Sequence, residues 1–263
     1  MGILNITPDS FADGGARMDP DRALADAMDM VRDGADILDI GGESTRPGAP
    51  PVAADEEWRR VAPVLERLRG RVAVPVSIDT YKADVAANAL AHGATIVNDV
   101  SGLTFDPSLA DVVARASAAI VLMHHRGRSE DMYARAHYGD VVAEVVTELA
   151  ARVAAAREAG VDAARIVVDP GIGFAKRAEH SMAVLGQLEA FAAIGRPILS
   201  GPSRKSFLKR ALGDVPPDQR VWGTAAAVTA SVLAGAHIVR VHDVREMVQV
   251  VRVADAIRSA ALS

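Results

Sequence analysis

Eight times along the chain a short apolar run gives way to a longer stretch with helical spacing. The apolar runs fall at 3–6, 37–40, 76–79, 95–98, 119–123, 166–169, 197–200 and 238–241. The helical patterns fall at 21–33, 55–68, 83–91, 108–116, 140–159, 181–193, 205–212 with 222–234, and 244–261. Several of these end at a glycine, at Gly34, Gly93, Gly160 and Gly235, where a helix commonly stops. The strands are too apolar for one face to meet water, so they imply a parallel sheet covered by helices. Eight such units in a chain of 263 residues, close to the roughly 250 typical of the architecture, favour a closed (β/α)8 TIM barrel of the α/β class. A doubly wound open sheet is the competing architecture, but no Gly-x-Gly-x-x-Gly opens a helix after the first run. No low-complexity linker or break in composition divides the sequence, so residues 1–263 are expected to form a single domain. The first strand starts almost at Met1 and leaves nothing to cover the barrel's N-terminal end, which reads as a shortened chain or a late start.

Composition removes several classes of function. There is no cysteine, so disulfides, zinc-thiolate sites and thiol chemistry are out. The net charge is −5 with no basic block, which argues against nucleic acid as a partner. No apolar stretch approaches the roughly 20 residues that span a bilayer, and no leader-like start is present. A cytoplasmic protein without membrane or nucleic-acid partners is expected.

In a barrel the C-terminal strand ends meet on one face. Here they bring together Asn5, Asp39, Asp79, Asn98, Met123, Asp169, Ser200, Arg240 and His242. Several acids and amides in one low-dielectric mouth need partners or a ligand. Asp79, Asn98 and Asp169 suit a heterocycle presenting N–H donors and a carbonyl, because a carboxylate accepts two parallel N–H bonds and an amide both donates and accepts. The plainer alternative is that such acids cap the following helices, and it weighs most for Asp99 and Asp243. Arg240 and His242 stand two apart on a strand and so face the same way. With Arg46 they would clamp a phosphate or diphosphate; the alternative is a salt bridge to Asp39 or Asp243.

Other loops are weaker signals. Ser203-Arg204-Lys205-Ser206 opens a helical pattern whose free N–H groups would receive an anion such as a carboxylate, with Lys205 adding a charge near the pocket floor. Phe174 on a glycine-rich turn and Phe11 on the loop after the first strand could sandwich a flat ligand, and the latter loop could act as a lid. His124-His125 lacks a standard metal-ligand spacing and reads as part of a long loop over 123–138.

Assembled in order, these residues resemble the dihydropteroate synthases of the pterin-binding family. The resemblance rests on 1–11, on Asp39-Ile40-Gly41-Gly42-Glu43-Ser44-Thr45-Arg46-Pro47-Gly48, and on Ser77-Ile78-Asp79-Thr80. It continues through Asn98-Asp99-Val100-Ser101-Gly102, Asp169-Pro170-Gly171-Ile172-Gly173-Phe174, Ser203-Arg204-Lys205-Ser206 and Arg240-Val241-His242-Asp243-Val244. It implies a transferase of folate biosynthesis that joins 6-hydroxymethyl-7,8-dihydropterin diphosphate to 4-aminobenzoate with release of diphosphate.

The resemblance further implies that Asp79, Asn98, Asp169 and Lys205 hold the pterin, with Met123, Gly201 and Val241 lining the site. Asn5 would serve Mg²⁺, and Arg46, Arg240 and His242 with that metal would bind the diphosphate. Thr45, Pro47, Phe11, Phe174 and Ser206 would form the aminobenzoate pocket, with the carboxylate at the helix end after Ser203. Asp79, Lys205, Arg240 and His242 are the expected catalytic groups, and a homodimer is expected. The extra arginines of Met123-His124-His125-Arg126-Gly127 and of Lys176-Arg177 depart from the commoner family pattern. Two other readings compete: a methyltetrahydrofolate-binding methyl carrier domain, which would need no diphosphate clamp, and an inactive pterin-binding module.

Overall fold

The computed structural model describes residues 1–7, 19–46 and 48–262, with the side chain of Leu262 excluded. Phe11 and Pro47, both expected to touch substrate, lie outside the described residues. So does most of the proposed lid.

The chain alternates strand and helix. The strands are β1 (Gly2–Asn5), β2 (Leu38–Gly41), β3 (Val76–Asp79), β4 (Ile96–Asp99), β5 (Ala119–Met123), β6 (Ile166–Asp169), β7 (Leu199–Ser200) and β8 (Ile238–Val239). The helices are α1 (Pro20–Arg32), α2 (Ala54–Leu68), α3 (Ala83–Ala91), α4 (Leu109–Arg115), α5 (Val141–Glu158), α6 (Ala178–Gly186), α7 (Lys209–Leu212), α8 (Val221–Leu233) and α9 (Val244–Leu262). Local chemistry explains the ends. Asp140 accepts from the N–H groups of Val142 and Ala143 at 3.0 and 3.1 Å and starts α5, satisfying donors that the first turn cannot pair. Asp19 does the same for α1, with Pro20 in its first turn.

β1 to β6 form one continuous parallel sheet in sequence order, and β7 pairs with β8. Single parallel bridges join the two pieces: Val168 to Ile198, and Gly2 to Val241. Across the second junction Ile3 N–H donates to Val241 at 3.0 Å and Val241 N–H donates to Met1 at 2.9 Å. Eight parallel strands therefore close on themselves, as expected from the sequence.

Strand alternation divides the apolar residues in two. Leu4, Leu38, Ile40, Ile78, Val97, Ile120, Leu122 and Val168 point outward into the large core beneath the helices. Met1, Val121 and Leu199, with Ile37, Ile96, Val167 and Ile238 against them, form a small separate cluster inside the barrel near its N-terminal end. Above that plug the interior turns polar. Asp39, Ser77, Asp79, Asn98 and Asp169 are all buried. Among the described residues no helix is long and apolar enough to cross a membrane.

Candidate active site

The inner side chains at the C-terminal strand ends are held by one another. Arg240 Nε donates to Asp39 Oδ2 at 2.6 Å, and Arg240 Nη2 donates to Asp79 Oδ2 at 2.7 Å. Asn98 Nδ2 also donates to Asp39 Oδ2, at 3.0 Å. The salt bridge weighed against the clamp role of Arg240 thus forms, though these contacts use only two of a guanidinium's five donors. Burial works against the charge on Arg240, but Asp39 and Asp79 together raise its pKa.

Asp79 has the opposite balance: burial pushes it up to about 7, with Arg240 holding it down and Asp39 adding to the rise. Asp39 Oδ1 and Asp79 Oδ1 are buried without a hydrogen-bond partner among the described residues. Unpaired buried acceptors are costly, and these two are poised for donors from a ligand.

Asp169 lies across the barrel, raised by burial and moderated first by Lys205. One of its oxygens accepts from Gly171 N–H at 2.7 Å, so it turns the following loop as well as facing the mouth. Burial pushes Lys205 down to about 8; its ammonium donates to the Ile172 carbonyl and lies 4.4 Å from the centre of the Phe174 ring. Gly201 lies beneath Arg240 and Lys205, its missing Cβ 3.8 Å from Arg240 Cβ. Met123 is buried at the tip of β5. Asn5 is half-buried at the tip of β1 and pairs in register with Gly41.

Around this interior stands a rim of rings that sequence reasoning missed apart from Phe174. Tyr81 meets Phe105 at 5.1 Å, Phe105 meets His125 at 6.0 Å, and His125 meets Phe174 at 5.6 Å. Arg128 stacks over Phe105 at 4.4 Å. Together with Thr45 these residues line a small recess at the mouth. A larger groove of about 530 Å³ opens between α3 and α4, with Ala118 and Arg165 at its edge. It holds no acid, amide or histidine, so the chemistry belongs to the other end of the barrel.

One expectation needs correction. Val241 does not line the site: its side chain is packed in the outer core, and its backbone N–H and C=O are consumed by barrel closure. It lies between Arg240 and His242, and alternation turns it away from both. The segment after Ser203 is helical over 206–212, close to the 205–212 that spacing predicts. Its first turn, Ser206–Leu208, is a 3-10 turn that runs straight into α7, and Ser206 at its start is exposed. Asp99 and Asp243, for which the plainer structural role weighed most, do hold loops: Asp99 accepts from Ser101 and Leu103 N–H at 2.8 and 2.6 Å, and Asp243 pairs with Arg204.

Two predicted residues take quieter places. Arg46 is exposed on the loop after β2. His242 Nδ1 lies 3.0 Å from Ser203 Oγ, which also accepts from His242 N–H at 3.1 Å, so the loops after β7 and β8 are tied together.

Comparison with known proteins places this geometry. Residues 1–242 match the family described as pterin binding enzyme. A dihydropteroate synthase of Synechocystis sp. is 48% identical, covering 98% of this chain and 89% of its own. The solved Burkholderia cenocepacia dihydropteroate synthase, complexed with 7,8-dihydropteroate, is 46% identical with a TM-score of 0.89, covering 99% of this chain and 91% of its own. The Yersinia pestis dihydropteroate synthase, solved as a sulfonamide drug complex, is 39% identical with a TM-score of 0.94, covering 98% and 94%. The chain belongs to the pterin-binding enzyme family, on its dihydropteroate synthase branch.

Proposed function

We propose that residues 1–263 act as one cytoplasmic domain that condenses 6-hydroxymethyl-7,8-dihydropterin diphosphate with 4-aminobenzoate, giving 7,8-dihydropteroate and diphosphate. The observation that carries this reading is the buried set of Asp39, Asp79, Asn98 and Asp169 with two carboxylate oxygens unpartnered. A flat heterocycle with several N–H donors satisfies that set, and a mouth without the heterocycle leaves it under-paired.

Asp79, Asn98, Asp169 and Lys205 orient the pterin, and Arg240, Arg46 and His242 grip the diphosphate. As the carbon–oxygen bond to diphosphate lengthens, positive charge grows on the carbon left behind and delocalises into the ring. The Asp79 carboxylate, buried and close to that charge, offsets it in a medium where such an interaction is strong. Phe174 and Thr45, with Phe11 and Pro47, seat the arylamine so that its nitrogen meets the same carbon.

The donors suit magnesium only as a shared site. Among the described residues no three His, Cys, Asp or Glu side chains form a group that could hold a metal ion, and the oxygen available is the Asn5 amide. A hard ion that keeps several waters and takes substrate phosphates accepts such a partial cage. When bound, Mg²⁺ would neutralise the leaving diphosphate. A homodimer is supported by apolar residues left exposed on α7 to α9, Trp222 at 81% together with Leu212, Leu233, Val253 and Ile257, since exposed apolar surface is what an interface between copies would cover.

The test is direct. Folded protein incubated with both substrates and Mg²⁺ is expected to release diphosphate and form dihydropteroate, and absence of product overturns the reading. A methyl carrier would instead bind methyltetrahydrofolate and ignore the diphosphate.

A further inference from the structure

One buried lysine belongs to none of these roles. Lys176 is 2% exposed at the end of the loop after β6. Its Nζ donates to His124 Nδ1 at 2.8 Å and to the Phe174 carbonyl at 3.2 Å. His124 follows Met123, so alternation turns its ring outward toward α5, where Nε2 lies 3.1 Å from Glu148 Oε2.

The protons in this chain can be assigned. The His124 hydrogen bond holds Glu148 down at about 2, with help from Arg126, so it is an ionised acceptor. Burial pushes His124 down to about 4, so the ring is neutral, with one donor and one acceptor. Facing a carboxylate, Nε2 carries the hydrogen, and Nδ1 offers its lone pair to Lys176. Burial also lowers Lys176 to about 7, but ammonium and amine alike keep two N–H bonds for two acceptors.

An apolar side chain of similar volume would fill this place without the penalty of burying a charge. What lysine adds is a link between two loops. The loop it grips is tightly set. Gly171 has φ 69°, and a Cβ there would sit 2.1 Å from the His124 carbonyl. Ala175 adopts φ 47°, its carbonyl accepting from Tyr138 Oη at 2.8 Å. Such backbone is kept only where its surroundings fix it.

We propose that Lys176, aimed by His124 and Glu148, is a positioning residue that locks the Phe174 backbone and so holds its ring against the bound arylamine. The inference rests on the arylamine reading above.

Steady-state kinetics on three variants test it. In His124→Asn the amide oxygen takes the place of Nδ1 and still accepts from Lys176. In His124→Gln the amide reaches the place of Nε2, keeps Glu148 and gives up the acceptor. His124→Gln is expected to raise the KM for 4-aminobenzoate about tenfold and leave the KM for the pterin diphosphate within about twofold, while His124→Asn, which keeps the acceptor for Lys176 and loses only the Glu148 contact, raises the aminobenzoate KM clearly less. Lys176→Met is expected to raise both KM values, because it also removes a cation near Asp169. Equal behaviour of the Asn and Gln variants, or an unchanged aminobenzoate KM in Lys176→Met, overturns the proposal. Wild-type protein without turnover instead defeats the synthase reading itself.

Discussion

Asp79 holds Arg240 with one oxygen and leaves the other unpaired, and both facts bear on its titration. With burial raising it to about 7, its charge is lost as pH falls through that value. The rate of condensation, measured as kcat/KM for the pterin diphosphate, is therefore expected to fall below about pH 7. Stability runs the other way. The folded carboxyl binds its proton more tightly than the unfolded one, so its contribution to stability rises as pH drops from about 7 toward the ordinary carboxylate value. Comparing the chemical melts of the wild type and Asp79→Asn from pH 5 to 8 isolates this slope. A second comparison separates roles: Asp79→Ala is expected to lose turnover by about 10²-fold or more with diphosphate binding largely kept, whereas Arg240→Ala loses both.

Much at this scale was legible in the sequence. Polar residues closing apolar runs marked Asp79, Asn98 and Asp169, because strand tips are where such folds display side chains. Val241 was misread because a motif was taken whole, although alternation predicts that the middle residue of Arg240-Val241-His242 faces away. The Lys176–His124 pair could not be read, since 52 positions separate the two residues and their approach depends on how two loops pack.

Secondary-structure elements were easier to foresee than the links between them. β3, β5, β6 and α3 have the bounds that spacing predicts, because strong periodicity and clear stops coincide there. The stretch after Ser203 is helical to Leu212 as its spacing predicts, with a first turn of 3-10 form and Gly213 as its stop. Nothing in the sequence announced that Lys82, at the entry to α3, would pair with both Glu43 after β2 and Glu57 on α2. Glu57 is fully buried and raised by that burial, so the lysine is its compensation. Removing one partner of a buried pair strands the other, and Lys82→Met is expected to lower stability by about 3 kcal/mol. Urea melts of that variant, alone and combined with Glu57→Gln, check whether the loss is recovered when the stranded charge goes.

For the whole molecule, closure is uneven. Six strands share full ladders, whereas β7 and β8 are two residues each and join the rest through single bridges at Val168–Ile198 and Gly2–Val241. A ring with one thin arc opens there first, since local opening follows the places with fewest shared contacts. Native-state hydrogen exchange is expected to show Arg240 and Ile238 amides exchanging faster than those of Ile78 and Val97; uniform protection around the ring would refute this. Arg240, Lys205 and Gly201 all ride on that arc, opposite Asp79 and Asn98 on the firm side. The two halves of the mouth thus belong to regions of different stiffness, and a ligand touching both works as a clasp. Occupancy should slow exchange across the thin arc far more than across the firm one, so that protection around the ring evens out while the molecule holds its substrate.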